Sequence, residues 1–151
     1  MPETRVDAPG GRVRRAERWA GGLSIVGGAI HGILSPAHLE EWWGYGLFFI
    51  FAAVAQILFG IALVTDALNE KDWGPGWQAA KRNLFLLGIV GNLAVVALYV
   101  VTRTVGIPFF GPEAGQREAV AVIDVVSKAT ELALVVLLFR LWRDVPRPSG
   151  A

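Results

Sequence analysis

Three ionisable residues share one short apolar segment towards the C-terminal end of the chain: Asp124, Lys128 and Glu131. Their spacing of four and then three residues puts them along one face of a helix, with Ser127 beside them. Inside a membrane such groups are costly, and they mark binding sites, ion paths or proton relays. A second concentration of chemistry is HGILSPAHLEEWWGYGLFF, residues 31 to 49, where His31, His38, Glu40, Glu41, Trp42 and Trp43 interrupt two apolar runs. The other apolar runs hold Gln56 in one and Asn92, Tyr99 and Arg103 in another.

Counting at about 1.5 Å per helical residue sorts these groups by depth. His31, Tyr99 and Asp124 fall in the outer half, Arg103 at the rim, Gln56, Asn92 and Lys128 near the middle, and Glu131 deepest. One polar core that opens outward would gather all eight as ligand-binding residues. His38, Glu40 and Glu41 would form its mouth. The shared depth of His31 and Asp124 predicts that these two meet, and the cost of a lone ammonium predicts that Lys128 pairs with Asp124 or Glu131.

Histidine with carboxylates suits zinc or another divalent metal, with His31, His38 and Asp124 as the candidate ligands. Haem is disfavoured, because His31 is the one deep axial candidate. The titratable groups also suit a proton relay. A non-functional reading competes with all of these. Gln56 and Asn92 serve as ordinary interhelical hydrogen bonds, worth under about 2 kcal/mol each, and the three charges of the last apolar run neutralise one another.

The elements that must position these residues are apolar. The chain has 151 residues, is 54% hydrophobic and only 18% charged, and its mean hydropathy is +0.48. A bilayer-crossing helix needs about 20 mostly apolar residues. Four segments qualify, at roughly Trp19–Leu34, Gly46–Thr65, Leu84–Val101 and Ala119–Phe139. The expected fold is therefore all-α: an integral membrane four-helix bundle. There is no cysteine, which removes disulfides, thiolate metal sites and cysteine nucleophiles. A net charge of +1 argues against nucleic acid as a partner.

Lysine and arginine are unevenly distributed. The N-terminal segment holds Arg5, Arg12, Arg14, Arg15 and Arg18, the second connection Lys71, Lys81 and Arg82, and the C-terminal segment Arg140, Arg143 and Arg147. The first and third connections together hold Arg103 and Arg117. The positive-inside rule then puts both termini in the cytoplasm. Trp19, Trp42, Trp43, Trp73, Trp77 and Trp142 fall near span ends, as an interfacial aromatic belt requires. Residues 1–16 read as a flexible basic tail, 17–143 as the transmembrane domain and 144–151 as a second flexible tail.

Ser35-Pro36 reads as a helix start, with serine at the N-cap and proline at the first helical position. The residues after it then form a short interfacial helix. Ser35-Pro36-Ala37 also fits a signal-peptidase site, but the long basic segment before it and the absence of a soluble domain after it favour retention of the first span. SIVGGAIHGIL (24–34) echoes GIVGNLAVVAL (88–98), which hints at two repeated helical hairpins, but chance similarity between glycine-rich apolar helices is the better reading.

The HGILSPAHLEEW connector together with AAVAQ in the next run resembles small four-pass bacterial membrane proteins of unknown function. The resemblance covers the four spans and implies a bacterial cytoplasmic membrane, without implying an activity. The leading expectation is a membrane protein whose outward-facing polar pocket binds a small molecule or ion, in transport or sensing. The alternatives are a non-catalytic accessory subunit and a small membrane enzyme using a buried carboxylate or His31. No nucleophile motif, phosphate loop or cofactor fingerprint supports the enzyme. The expected partners are the lipid bilayer and further copies or subunits of a membrane complex.

Overall fold

The computed structural model describes residues 9–69, 74, 76–107, 111–112 and 114–146. The chain forms α1 (Pro9–Glu41), α2 (Trp43–Val64), a 3₁₀ turn (Ala67–Asn69), α3 (Trp77–Thr104) and α4 (Val122–Asp144), with no strand among the described residues. Three of these helices, α1, α2 and α3, are long and apolar enough to cross a membrane. At 23 residues α4 has the length, but it carries Asp124, Lys128 and Glu131, and ends in Arg140, Arg143 and Asp144. Large apolar side chains point outward from every helix, among them Ile33, Phe51, Leu87 and Val125, each more than half exposed.

The helices pack in the spatial order α2, α1, α4, α3. The α1–α2 contact is the closest, because glycine lets the two backbones touch. A Cβ at Gly60 would stand 2.6 Å from the Gly21 carbonyl oxygen, and one at Gly28 would stand 2.8 Å from that of Ala53. Between α2 and α3 the link runs through side chains: Gln56 Nε2 donates to Asn92 Oδ1 at 3.0 Å, while Asn92 Nδ2 donates to its own helix at Gly88 O.

Two differences from the sequence reading concern α1. The helix begins at Pro9, so residues 9–16, expected as part of a flexible tail, are helical. It also runs unbroken through Pro36 to Glu41, so there is no separate interfacial helix; the chain turns at Trp42 instead. Proline removes the amide that would have bonded the Gly32 carbonyl. Ser35 Oγ takes over that carbonyl at 2.8 Å, which lets the helix continue. Ser35→Ala should therefore cost about 1 kcal/mol in a thermal or denaturant melt. In a Pro36→Ala background, where the backbone bond is restored, the same change should cost little; an equal cost in both backgrounds would refute the substitution of one bond for the other.

The antiparallel hairpins bring the start of α1, the end of α2, the start of α3 and the end of α4 to one end. There Glu17, with no exposed surface, pairs with Lys81 at 2.7 Å, and Asn69 bridges them, donating to Glu17 Oε2 at 2.6 Å and accepting from Lys81 at 2.5 Å. Arg18 pairs with Asp66 at 2.8 Å. Arg82 lies over the Trp142 ring and donates to the Trp142 carbonyl, tying α3 to the C-terminal turn of α4. Towards the middle stands an apolar layer of Ala20, Leu63, Phe85, Leu134 and Leu138, all essentially without exposed surface. Arg5, Lys71, Trp73 and Arg147 lie outside the described residues.

Candidate functional site

Beyond that apolar layer, at the end where α1 turns into α2 and α3 connects to α4, lies a cavity of about 440 Å³. All four helices line it. Phe48 and Phe49 of α2 and Val95 and Leu98 of α3 form apolar walls, and Tyr45, Ile107 and Glu118 stand around them. Polar groups enter from α1 (His31, His38), from the end of α3 (Arg103) and from α4 (Asp124, Ser127, Lys128). The combination of apolar walls with a few convergent polar groups, at this size, is what small-molecule sites share.

The polar groups form two clusters. The inner one centres on Glu131, which has no exposed surface. Its Oε1 takes His31 Nε2 at 2.9 Å and Ser127 Oγ at 3.2 Å, and its Oε2 takes Lys128 Nζ at 2.6 Å. Ser127 and Lys128 are neighbours on one turn of α4 and Glu131 lies on the next, so the helix builds most of the cluster itself, and α1 adds the histidine. The outer cluster centres on Arg103 at the last turn of α3. It bonds Asp124 Oδ2 at 2.9 Å and also pairs with Glu118 of the α3–α4 connection. That connection folds back on α3, with Glu118 N donating to Thr102 O at 3.1 Å. Tyr99 lies between the clusters, its ring centroid 5.0 Å from the Arg103 guanidinium and 5.6 Å from Lys128 Nζ.

Asp124 is held in place by more than Arg103. It occupies the first turn of α4 and its Oδ2 accepts from the Ala121 amide at 2.9 Å, satisfying a donor at the helix start. This is why the expected meeting of His31 with Asp124 does not occur: the partner of His31 is Glu131, two turns further along α4. The expected pairing of Lys128 with one of the two acids goes to Glu131.

Of the other residues singled out from sequence, Gln56 and Asn92 are buried and bonded to each other, and neither lines the cavity. His38 does line it. Its Nδ1 is bonded to Glu41 at 2.8 Å and its ring lies 4.0 Å from that of Phe49. Glu40 and Glu41 are exposed and do not line the cavity, whereas Tyr45, Ile107 and Glu118 do. No three His, Asp or Glu side chains gather as a metal site among the described residues. His31, His38 and Asp124 do not converge as ligands, because each is drawn to a different partner: Glu131, Glu41 and Arg103.

Sequence reasoning missed Glu118, which lines the cavity and pairs with Arg103. It also missed the Glu17–Asn69–Lys81 cluster at the opposite end. A signal for Glu17 was present: Glu17, Ser24, His31 and His38 recur at intervals of seven, one stripe along α1, and the first three are buried. Ser24 on that stripe donates to the Gln56 carbonyl at 2.7 Å. Comparison with family models, curated proteins and solved structures returned no match.

Proposed function

We propose that this protein is an integral membrane protein of four spans that binds one amphiphilic small molecule in the cavity between its helices. The observation that carries the reading is the cavity's division into apolar walls from α2 and the middle of α3 and a polar side from α1, α4 and the last turn of α3. A molecule with an apolar body and a polar head matches that division. The outward apolar surface of all four helices supports membrane insertion. Ahead of the terminal Arg140, Arg143 and Asp144, the charges of α4 face the bundle, with Glu131 buried and Asp124 and Lys128 partly buried, so its outer face offers Val125, Leu132 and Val136 to lipid.

The terminal end of the helices carries Arg12, Arg14, Arg15, Arg18, Lys81, Arg82, Arg140 and Arg143, against Arg103 and Arg117 at the cavity end. This asymmetry supports cytoplasmic termini and a cavity in the outer half. A bacterial cytoplasmic membrane is the setting that the sequence resemblance favours. The apolar layer of Leu63, Phe85, Leu134 and Leu138 between the two polar ends favours a closed binding pocket over a path through the protein.

Two measurements test this. A reporter active only in the cytoplasm, fused at the C-terminus, should be active; activity only of an exported reporter would overturn the orientation. Protein in nanodiscs should bind a long-chain alkylphenol above the level of empty discs, and Leu98→Trp, which fills the cavity, should reduce that binding about tenfold or more without lowering the melting temperature. Binding no greater than to empty discs, or binding indifferent to Leu98→Trp and to Val95→Trp, would overturn the pocket.

A further inference from the structure

The inner cluster leaves one buried atom without a partner, and it belongs to a residue that lines the cavity. The His31 side chain is 3% exposed, its Nε2 is bonded to Glu131, and its Nδ1 has no hydrogen-bond partner. Buried polar atoms are almost always matched, so an unmatched one needs an explanation. We propose that His31 Nδ1 is the hydrogen-bond acceptor for the head group of the bound amphiphile, and that it selects an uncharged alcohol or phenol. This rests on the cavity being a binding site.

Charge balance assigns the tautomer. Lys128 already neutralises Glu131 at 2.6 Å, so a second positive charge on the ring would be uncompensated in a buried setting. The ring is then neutral, its one N–H lies on Nε2 and donates to Glu131, and Nδ1 presents a bare lone pair. Glu131 thus acts as a positioning residue: it fixes which nitrogen is the acceptor. A ligand meeting Nδ1 has to bring a donor, which excludes ethers, esters and hydrocarbons as equal partners.

Charge balance also rules on the head group. Both cations among the described lining residues are taken, Lys128 by Glu131 and Arg103 by Asp124 and Glu118. A carboxylate or phosphate head finds no unpaired cation, and at the level of His31 an ammonium head finds no unpaired carboxylate. Two buried atoms of lining residues are unmatched, the acceptor His31 Nδ1 in the inner cluster and the donor Arg103 Nε in the outer one, and an uncharged hydroxyl can satisfy the first without placing a charge beside the paired Lys128 and Glu131. Phe49, edge-on to His31 with centroids 5.2 Å apart and tilted against His38, offers the aromatic surface that a phenol ring would join.

The test uses three ligands of equal chain length with the full protein in nanodiscs: a 4-alkylphenol, its O-methyl ether and the corresponding alkyl carboxylate, each corrected for partition into empty discs. Wild-type protein should prefer the phenol over the ether and over the carboxylate by about fivefold to tenfold. His31→Gln retains a donor near the Nε2 position for Glu131 and deletes Nδ1; it should lose the preference and bind phenol and ether equally. Equal wild-type affinity for phenol and ether, or a preference for the carboxylate, overturns the role of His31 while leaving the pocket intact. Failure of all three ligands to bind overturns the pocket itself. The wild-type comparison decides the matter even if the variant does not fold.

Discussion

Glu131→Ala is expected to be among the most damaging single replacements in the protein, destabilising it by about 3–5 kcal/mol. The carboxylate has no exposed surface and receives Lys128, His31 and Ser127. Removing it strands an ammonium and an imidazole N–H away from water, and that stranding, more than the loss of attraction, sets the cost. Glu131→Gln should cost less, since an amide oxygen still accepts from His31. Lys128→Met combined with Glu131→Gln should be milder than the sum of the two by about 1–3 kcal/mol. The cycle of Lys128→Met with Asp124→Asn should lie closer to additive, because Asp124 is bonded to Arg103 and to the start of its own helix. Reversible unfolding in mild detergent measures both cycles. Additivity in the first would show that Lys128 and Glu131 do not act as a pair.

Gly60→Ala should be nearly as harmful as a large core substitution, although it adds one methyl group. The new Cβ would come within 2.6 Å of the Gly21 carbonyl and 2.7 Å of Ile25 Cγ1. A backbone carbonyl cannot move aside as a flexible side chain can, so α1 and α2 must separate along their contact. Overpacking of this kind costs about 1–3 kcal/mol, occasionally more. Gly22→Ala is the matched control: it adds the same group to α1 one position from Gly21, with no atom within 4 Å of the new carbon. Its effect should be slight or stabilising, since alanine favours helix over glycine by about 1 kcal/mol. Melting temperatures of the two variants in the same detergent decide this. Equal shifts would mean that the α1–α2 backbone contact does not govern assembly.

These two sites illustrate different degrees of legibility. Gly28 stands four residues before Gly32 in an apolar run, a spacing of small residues that by itself allows a close helix approach. Its counterparts were not readable. The pairing of Gly21 with Gly60 depends on how α1 slides against α2, and hydropathy does not set that register. Ser35-Pro36 shows the opposite error. Local rules favour a helix start there, yet one hydroxyl, bonded to Gly32 O, is enough to carry the helix through. The decision rested on a single side-chain bond that propensity rules do not contain.

What the sequence by itself determined is the part governed by local composition and period. The apolar runs specify four helices; the sequence reading took all four as spans, and in the structure three of them, α1, α2 and α3, are long and apolar enough to cross a membrane. The spacing of Asp124, Ser127, Lys128 and Glu131 specifies that they share a helix face, since 3.6 residues make a turn whatever the neighbours do. What only the tertiary structure decided is which group meets which. Moving the partner of His31 from Asp124 to Glu131 shifts the contact by seven residues, about 10 Å along α4. The ends of an apolar run, read from sequence, are uncertain by a comparable distance. The outcome depended on facts that no single helix holds: Arg103, from α3, claims Asp124 together with the Ala121 amide, and α1 continues past Pro36 and carries His38 on to the cavity wall. Ion pairs across helices are set by the relative register of three rigid rods, and that register follows from packing at contacts such as Gly21–Gly60, far along the chain from the charges it aligns.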